Sequence, residues 1–234
     1  MDEVQKRALR TDGDGYYARN YTGIGTIADP IFDQMQILNQ VRPIQSVFEI
    51  GCTTGFRLDK ARTAFGARCA GLEISPAAVA EAHERYPAVD VREGTAPQDM
   101  RHWESSGFDV VIVGHVLYLL PRSDLFALAA AVDRLLVDGG HIIVMDFLSP
   151  DAHHSRYSHH PDLSVFKHDP SGPWVWSPTF QLVSRQVYPL AEVVSSGVNP
   201  RSWQTVDVVR KLDMDDGYPE RPAHPSVHDG PGAA

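Results

Sequence analysis

Val47-Phe48-Glu49-Ile50-Gly51-Cys52-Thr53-Thr54-Gly55 decides how this chain folds. Val47, Phe48 and Ile50 suit a strand covered on both faces, as in a parallel sheet. Gly51 permits a sharp bend and a close backbone approach to a ligand. Gly55 is small enough to let the next helix, read over 56–65, pack tightly on the strand. Such a turn presents free backbone N–H groups at a helix start, where a polar or anionic group can sit. An acid, Glu73, follows Gly55 by about 18 positions. In a βαβ unit that spacing sets a carboxylate at the tip of the neighbouring strand, in reach of a ribose diol.

Strand and helix signals alternate outward from this stretch. Strands are read at 46–50, 68–73, 89–93, 108–113 and 141–147. Ser75-Pro76 opens a helix that runs to about Tyr86, with Ser as N-cap and Pro in the first turn. A second periodic segment, 124–136, carries Leu125, Leu128, Val132 and Leu135, and Asp138-Gly139-Gly140 is read as its end. Two late β-rich segments, 174–188 and 201–212, follow. The alternation predicts an α/β chain built on a parallel sheet.

The glycine turn, Glu73, the run FDVVIVGHVLYLL (108–120) and the run LLVDGGHIIVMDF (135–147) together resemble the class I S-adenosylmethionine (SAM)-dependent methyltransferases. The resemblance covers about 44–212 and implies a Rossmann-like, doubly wound fold whose mostly parallel seven-stranded sheet ends in a C-terminal antiparallel hairpin, supplied by 174–188 and 201–212. The family's first motif is commonly E-x-G-x-G-x-G; Glu49, Gly51 and Gly55 fit it, and Thr53 stands where the middle glycine usually is. The dinucleotide fingerprint G-x-G-x-x-G is broken by Thr53 and Thr54. The resemblance implies SAM as cofactor and methyl transfer to an oxygen or nitrogen of a small metabolite, with natural-product biosynthesis as a setting. Two other readings share the turn and the acid: a SAM-dependent cyclisation or rearrangement, and an NAD-dependent oxidoreductase. A non-catalytic SAM-binding regulator is a further one.

The resemblance also assigns candidate residues. Glu49, Gly51, Cys52, Thr53 and Gly55 form the cofactor loop. Glu73 holds the ribose, with Ile74 beside it. Gly94, Thr95 and Ala96 follow the third strand on the adenine side, where many relatives carry an Asp at the position of Thr95; Gln98 and Asp99 are alternative adenine partners. Gly114 and His115 follow the fourth strand near the sulfonium and methyl. Tyr16 and Arg19 belong to a segment read as a lid, Arg19 pairing with the methionine carboxylate. A hydroxyl acceptor needs a general base, and His115, His153 and His154 are candidates because histidine titrates near working pH.

Around this core, residues 1–40 are read as a helical cap with one helix at about 28–41, 41–212 as the methyltransferase core, and 213–234 as a disordered tail. The His-rich stretch 149–173 is read as an irregular substrate loop. Its histidines match no familiar zinc spacing, and no metal is expected. The net charge of −9 disfavours a phosphate backbone as partner, so no nucleic acid is expected. With 2 Cys and no apolar run of membrane length, the chain reads as cytoplasmic and not membrane-bound. A small-molecule substrate is the expected partner, and a homodimer is compatible with the sequence.

Overall fold

The computed structural model describes residues 3–20, 29–103, 107–189 and 203–213. Its centre is a seven-stranded sheet in the order β3-β2-β1-β4-β5-β9-β8. The strands are β1 (Ser46–Ile50), β2 (Arg68–Glu73), β3 (Asp90–Glu93), β4 (Phe108–Gly114), β5 (Leu136–Leu148), β8 (Phe180–Pro189) and β9 (Trp203–Lys211). The first five are parallel; β9 runs antiparallel to β5, and β8 antiparallel to β9. The sheet has the expected class. Chain order builds outward from β1 to β3, then reverses to β4 on the other side. That reversal opens a crevice beyond the carboxyl ends of β1 and β4, the usual ligand position in an open α/β sheet.

The apolar strand runs follow from double-sided burial. Phe48, Ile50, Val111 and Val113 face one core cluster with Leu128, Leu135 and Trp174. Val47, Val110 and Ile112 face the other, with Ile31, Met35 and Leu58. Helix α2 (Pro30–Val41) is capped by Asp29, which accepts from the Phe32 N–H at 3.2 Å. Helix α3 (Phe56–Phe65) runs between two left-handed glycines, Gly55 and Gly66. Helix α4 (Pro76–Arg85) starts at Ser75, whose Oγ accepts from the Ala78 N–H at 3.1 Å. Helix α5 (Leu125–Leu135) follows β4.

The tightest approach of α3 to the sheet is at Gly71 of β2. A Cβ there would lie 2.6 Å from Cys52 Sγ and 2.8 Å from Leu58 Cδ1. Gly71→Val is therefore expected to overpack the core, cost about 1–3 kcal/mol and lower the melting temperature. A circular-dichroism melt that does not move contradicts this packing.

Four readings are corrected. Asp138-Gly139-Gly140 does not end the helix before β5. The helix stops at Leu135, and these residues lie inside β5, where Gly139 has φ +75° and the β4 register jumps from Leu136 to His141. A bulge of this kind needs glycine as much as a helix stop does. The segment 174–177 is not strand: Trp174 sits in the short helix α6 (Gly172–Val175), is buried, and donates from Nε1 to the Ala129 carbonyl at 3.3 Å. The stretch 149–173 is not structureless. It forms an antiparallel pair, β6 (His153–Arg156) and β7 (Ser164–Lys167), anchored by the Phe166 N–H donating to the Tyr118 carbonyl at 2.7 Å.

Finally, α1 (Glu3–Asn20) is a helix through Asp12-Gly13-Asp14-Gly15, although glycine costs about 1 kcal/mol per residue in a helix interior. Packing on the α4 entrance offsets that cost. A Cβ on Gly13 would lie 3.1 Å from Ile74 Cγ2, and the Ser75 hydroxyl donates to Asp14. The tail 214–234 lies outside the described residues. Among the described residues no helix is long and apolar enough to cross a membrane.

Candidate active site

A cavity of about 380 Å³ occupies the crevice, a size suited to a cofactor-sized molecule. The glycine turn forms its floor. Three residues there have positive φ: Gly51 at 71°, Thr53 at 50° and Gly55 at 74°. A Cβ on Gly51 would lie 2.9 Å from Val116 Cγ2, so only glycine lets the turn approach the end of β4. Thr53 holds its left-handed conformation through two bonds. Its N–H donates to Glu73 Oε2 at 2.8 Å, and its hydroxyl donates to the Cys52 carbonyl at 2.8 Å.

Glu73 ends β2 and is buried. Oε2 accepts from Thr53 and Oε1 from the Ser75 N–H, also at 2.8 Å. Each carboxylate oxygen can accept more than one bond, so the group keeps capacity toward the cavity it lines. Burial raises its pKa, opposed by the N–H groups of Ser75, Thr53 and Ile74.

Glu49 lies two residues before Gly51 on the same wall. Oε1 pairs with Arg57 Nη1, and Arg57 Nε reaches Asp29 Oδ2 at 3.0 Å. Glu49 Oε2 is buried with no hydrogen-bond partner among the described residues. Burial pushes the Glu49 carboxyl up to about 7.

His115 lies at the end of β4 with φ 54°, its N–H donating to the Met145 carbonyl at 2.7 Å. Its ring meets Phe147 edge-on at 5.7 Å and Tyr118 at 6.4 Å. Burial, with Arg57 adding repulsion, lowers its pKa to about 4, so the imidazole is neutral at working pH. Asp146 fixes this corner. Its Oδ2 accepts from the Leu117 N–H at 2.9 Å and the Tyr118 N–H at 3.3 Å, and Oδ1 accepts from the Phe147 N–H at 2.7 Å. Burial pushes Asp146 up to about 7.

Glu49 and Asp146 thus hold protons when folded at pH values where the unfolded chain has lost them. Their folded pKa values are raised, so their contribution is full below the ordinary carboxylate range and fades as pH rises through about 7. His115, depressed, works the other way, but only below its ordinary value of 6.5. The melting temperature is therefore expected to fall between about pH 6.5 and 7.5 and to level off above. A melting temperature that rises over that interval contradicts the protonated carboxyls.

Ten of the sequence candidates line this one cavity: Glu49, Gly51, Thr53, Glu73, Ile74, Gly94, Thr95, Ala96, Gly114 and His115. Cys52 and Gly55 do not. The Cys52 side chain packs against Gly71, and a Cβ on Gly55 would meet Val91 at 3.1 Å, so both serve the packing behind the turn. Tyr16 and Arg19 fall in α1, but their side chains lie outside the described residues. Tyr17 of the same helix lines the cavity, with Leu9, Asp12 and Gly13.

His153 and His154 are separated from His115. His153 bonds the Asp151 carbonyl at 2.8 Å, His154 is exposed beside Phe166, and neither lines the cavity. Asp99 is occupied by Thr95, whose N–H and hydroxyl donate to its Oδ2 at 2.8 and 3.0 Å; Gln98 donates to Asp124 at 3.0 Å. Asp12, Asp29, Arg57, Tyr118 and Asp146 also belong to this region, and no motif in the sequence marks them, although Tyr118 lies in the run 108–120.

Residues 47–140, the turn, Glu73 and His115 included, match a family described as "Methyltransferase domain". That segment of the chain is similar to methyltransferase domains. Solved structures of this class share its fold. One is 1,6-didemethyltoxoflavin-N1-methyltransferase from Burkholderia thailandensis, with bound 1,6-didemethyltoxoflavin and S-adenosylhomocysteine. It is 16% identical, with 88% of each chain covered and a TM-score of 0.65. Another is a SAM-bound amino pentose methyltransferase of calicheamicin biosynthesis from Micromonospora echinaspora. It is 18% identical, covering 84% of this chain and 97% of that one, with a TM-score of 0.58. A SAM-dependent methyltransferase from Methanosarcina mazei is 16% identical over 76% of this chain and 97% of that one, with a TM-score of 0.57. No curated protein sequence matches the chain.

The donor set of this cavity fits SAM. A buried carboxylate suits the ribose diol, an unpartnered buried oxygen at Glu49 suits an ammonium group, and the glycine turn gives the space between.

Proposed function

We propose that this methyltransferase methylates an oxygen or nitrogen of a small metabolite, with specialised metabolism as its setting. The observation that carries the reading is one cavity bearing Glu73, the glycine turn and His115, each on a different strand end of the switch point. When bound, SAM supplies an electrophilic methyl group to a nucleophile approaching opposite its sulfur.

The chain's own residues then position and exclude water. Glu73 accepts from the ribose hydroxyls, and Ile74, Thr95 and Ala96 frame the base. His115 faces the transfer end as a neutral imidazole, which avoids placing a second cation beside the sulfonium. An attacking hydroxyl becomes strongly acidic only as its bond to carbon forms, so even a weakly basic ring can take that proton late. An amine acceptor needs only the orientation.

The cap reading of residues 1–40 is supported by Leu9, Asp12, Gly13 and Tyr17 on one side of the cavity and Asp29, Pro30 and Ile31 on another. A small acceptor is supported by the neighbours that act on a flat heterocycle and an amino sugar, and an acidic chain at −9 disfavours nucleic acid. Two free buried cysteines suit a reducing compartment such as the cytoplasm.

The test is mass spectrometry of reactions containing SAM and a panel of amino sugars and flat N-heterocycles. The expected result is an acceptor heavier by one methyl, formed in step with S-adenosylhomocysteine. Product formation without methyl gain contradicts the reading and favours a rearrangement; turnover that requires NAD favours an oxidoreductase.

A further inference from the structure

The transfer end of the cavity is built from rings. Tyr118, in the turn after β4, lines the cavity and is buried. Its ring meets His115 at 6.4 Å, Phe147 of β5 at 5.2 Å and Tyr157, just beyond β6, at 6.1 Å. Interplanar angles of 84°, 83° and 68° make all three contacts edge-on, an arrangement that the ring quadrupoles favour. The backbone holds these rings from two sides. Asp146 accepts from the N–H groups of Leu117, Tyr118 and Phe147, and the Tyr118 carbonyl accepts from the Phe166 N–H of β7. Side chains locked in this way make a preorganised surface.

The rest of this end is apolar. Ile31 of α2, Val116 and Leu119 of the same turn and Met145 of β5 complete it. Two acceptor classes fit it poorly. A sugar carries several hydroxyl groups, and each one buried without a partner is costly. The His115 ring and the Tyr118 hydroxyl are the polar side-chain groups among these lining residues. An amine is charged at neutral pH and calls for a carboxylate beside it. Asp146 gives its oxygens to the backbone, Asp29 is held by Arg57, and Glu49 stands with Arg57 at the glycine turn. A flat aromatic ring brings apolar faces, ring–ring contact with Tyr118 and as little as one hydroxyl. A phenol ionises near pH 10, as tyrosine does, so its proton is within reach of a neutral imidazole once the oxygen begins to bond.

We propose that the methyl acceptor is a flat aromatic hydroxyl compound, seated against the Tyr118 ring with its oxygen toward His115. Tyr118 is then the residue that selects the acceptor. The inference rests on the SAM reading above and narrows it to an oxygen carried by an aromatic ring. The phenol oxygen bonds to the methyl carbon as the carbon–sulfur bond breaks. The electron pair of the broken bond stays on sulfur, and the phenol proton passes to the His115 ring and on to solvent. The products are an aryl methyl ether, S-adenosylhomocysteine and one proton.

The test compares 2-naphthol with decahydro-2-naphthol, which has the same skeleton and hydroxyl but puckered rings, and with glucosamine. Binding to the full chain is measured by calorimetry at saturating S-adenosylhomocysteine, and methyl gain by mass spectrometry with SAM. 2-Naphthol is expected to bind about tenfold tighter than either comparator and to gain one methyl. Tyr118→Phe, which keeps the ring, is expected to hold 2-naphthol within about twofold. Tyr118→Leu is expected to lose about two- to tenfold in 2-naphthol affinity, with decahydro-2-naphthol affinity little changed. Unchanged S-adenosylhomocysteine affinity reports that each variant is folded.

In the unmodified protein, 2-naphthol that binds no tighter than decahydro-2-naphthol or gains no methyl overturns the proposal without reference to any variant. Methylation of glucosamine in its place does the same. A loss in Tyr118→Leu shared equally by both alcohols also contradicts it, because it marks packing and not ring recognition. If S-adenosylhomocysteine itself does not bind, the cofactor reading has failed and the proposal with it; if it binds and 2-naphthol does not, the proposal alone has failed.

Discussion

Glu73→Ala is expected to weaken SAM binding by about 1.5–3 kcal/mol, roughly ten- to a hundredfold or slightly more. The carboxylate is a buried, charged acceptor on the cavity wall, and hydrogen bonds to such groups stand at the strong end of the range. The substitution has a second effect. It strips the Thr53 and Ser75 N–H groups of their acceptor, each now bonded at 2.8 Å, and Thr53 relies on that bond in a left-handed conformation. The floor of the cavity should therefore loosen and the melting temperature fall. Methylthioadenosine, which shares the ribose, should lose affinity as SAM does; this separates the effect from one confined to the amino-acid end of the cofactor. Calorimetry on the folded variant showing undiminished affinity for both ligands contradicts the placement of the ribose.

His115→Asn is expected to reduce turnover by about a hundredfold or more with a hydroxyl acceptor, and to change SAM affinity little. Asparagine is preferred to alanine because it tolerates the positive φ of this position. The wild-type ring sits near 4, so it is neutral above that value and gains charge only as pH falls through it. Turnover at saturating SAM should consequently show no histidine inflection near its ordinary value of 6.5. Unchanged turnover in the variant, with SAM bound normally, removes His115 from the chemistry.

The parts of the fold that were legible are those whose burial is two-sided. β1 and β4 read as apolar runs because each alternate side chain enters a different core cluster. Glu73 was legible because a βαβ unit ties its spacing from the turn to one place in space. β6 and β7 were not, because most of their residues are polar and only Val165 is buried, leaving no period to read. α1 was hidden by Gly13 and Gly15, and the packing that favours it, Gly13 on Ile74 and Ser75, comes from far along the chain.

The charged cluster failed to show for a similar reason. Asp29, Glu49 and Arg57 come from three elements, and only the folded α2 entrance brings Asp29 to Arg57. Asp146 likewise meets Leu117 and Tyr118 through the pairing of β4 with β5. Thr53 departs from the expected glycine yet keeps its conformation, because Glu73 and the Cys52 carbonyl supply the bonds that a glycine would not need.

A crystal structure of the chain soaked with S-adenosylhomocysteine is the most direct measurement. The account predicts its ribose diol within hydrogen-bonding distance of Glu73 and its amino group beside Glu49. A ligand seated with its ribose away from Glu73, or a nicotinamide nucleotide taken up in its stead from an equal mixture, contradicts it.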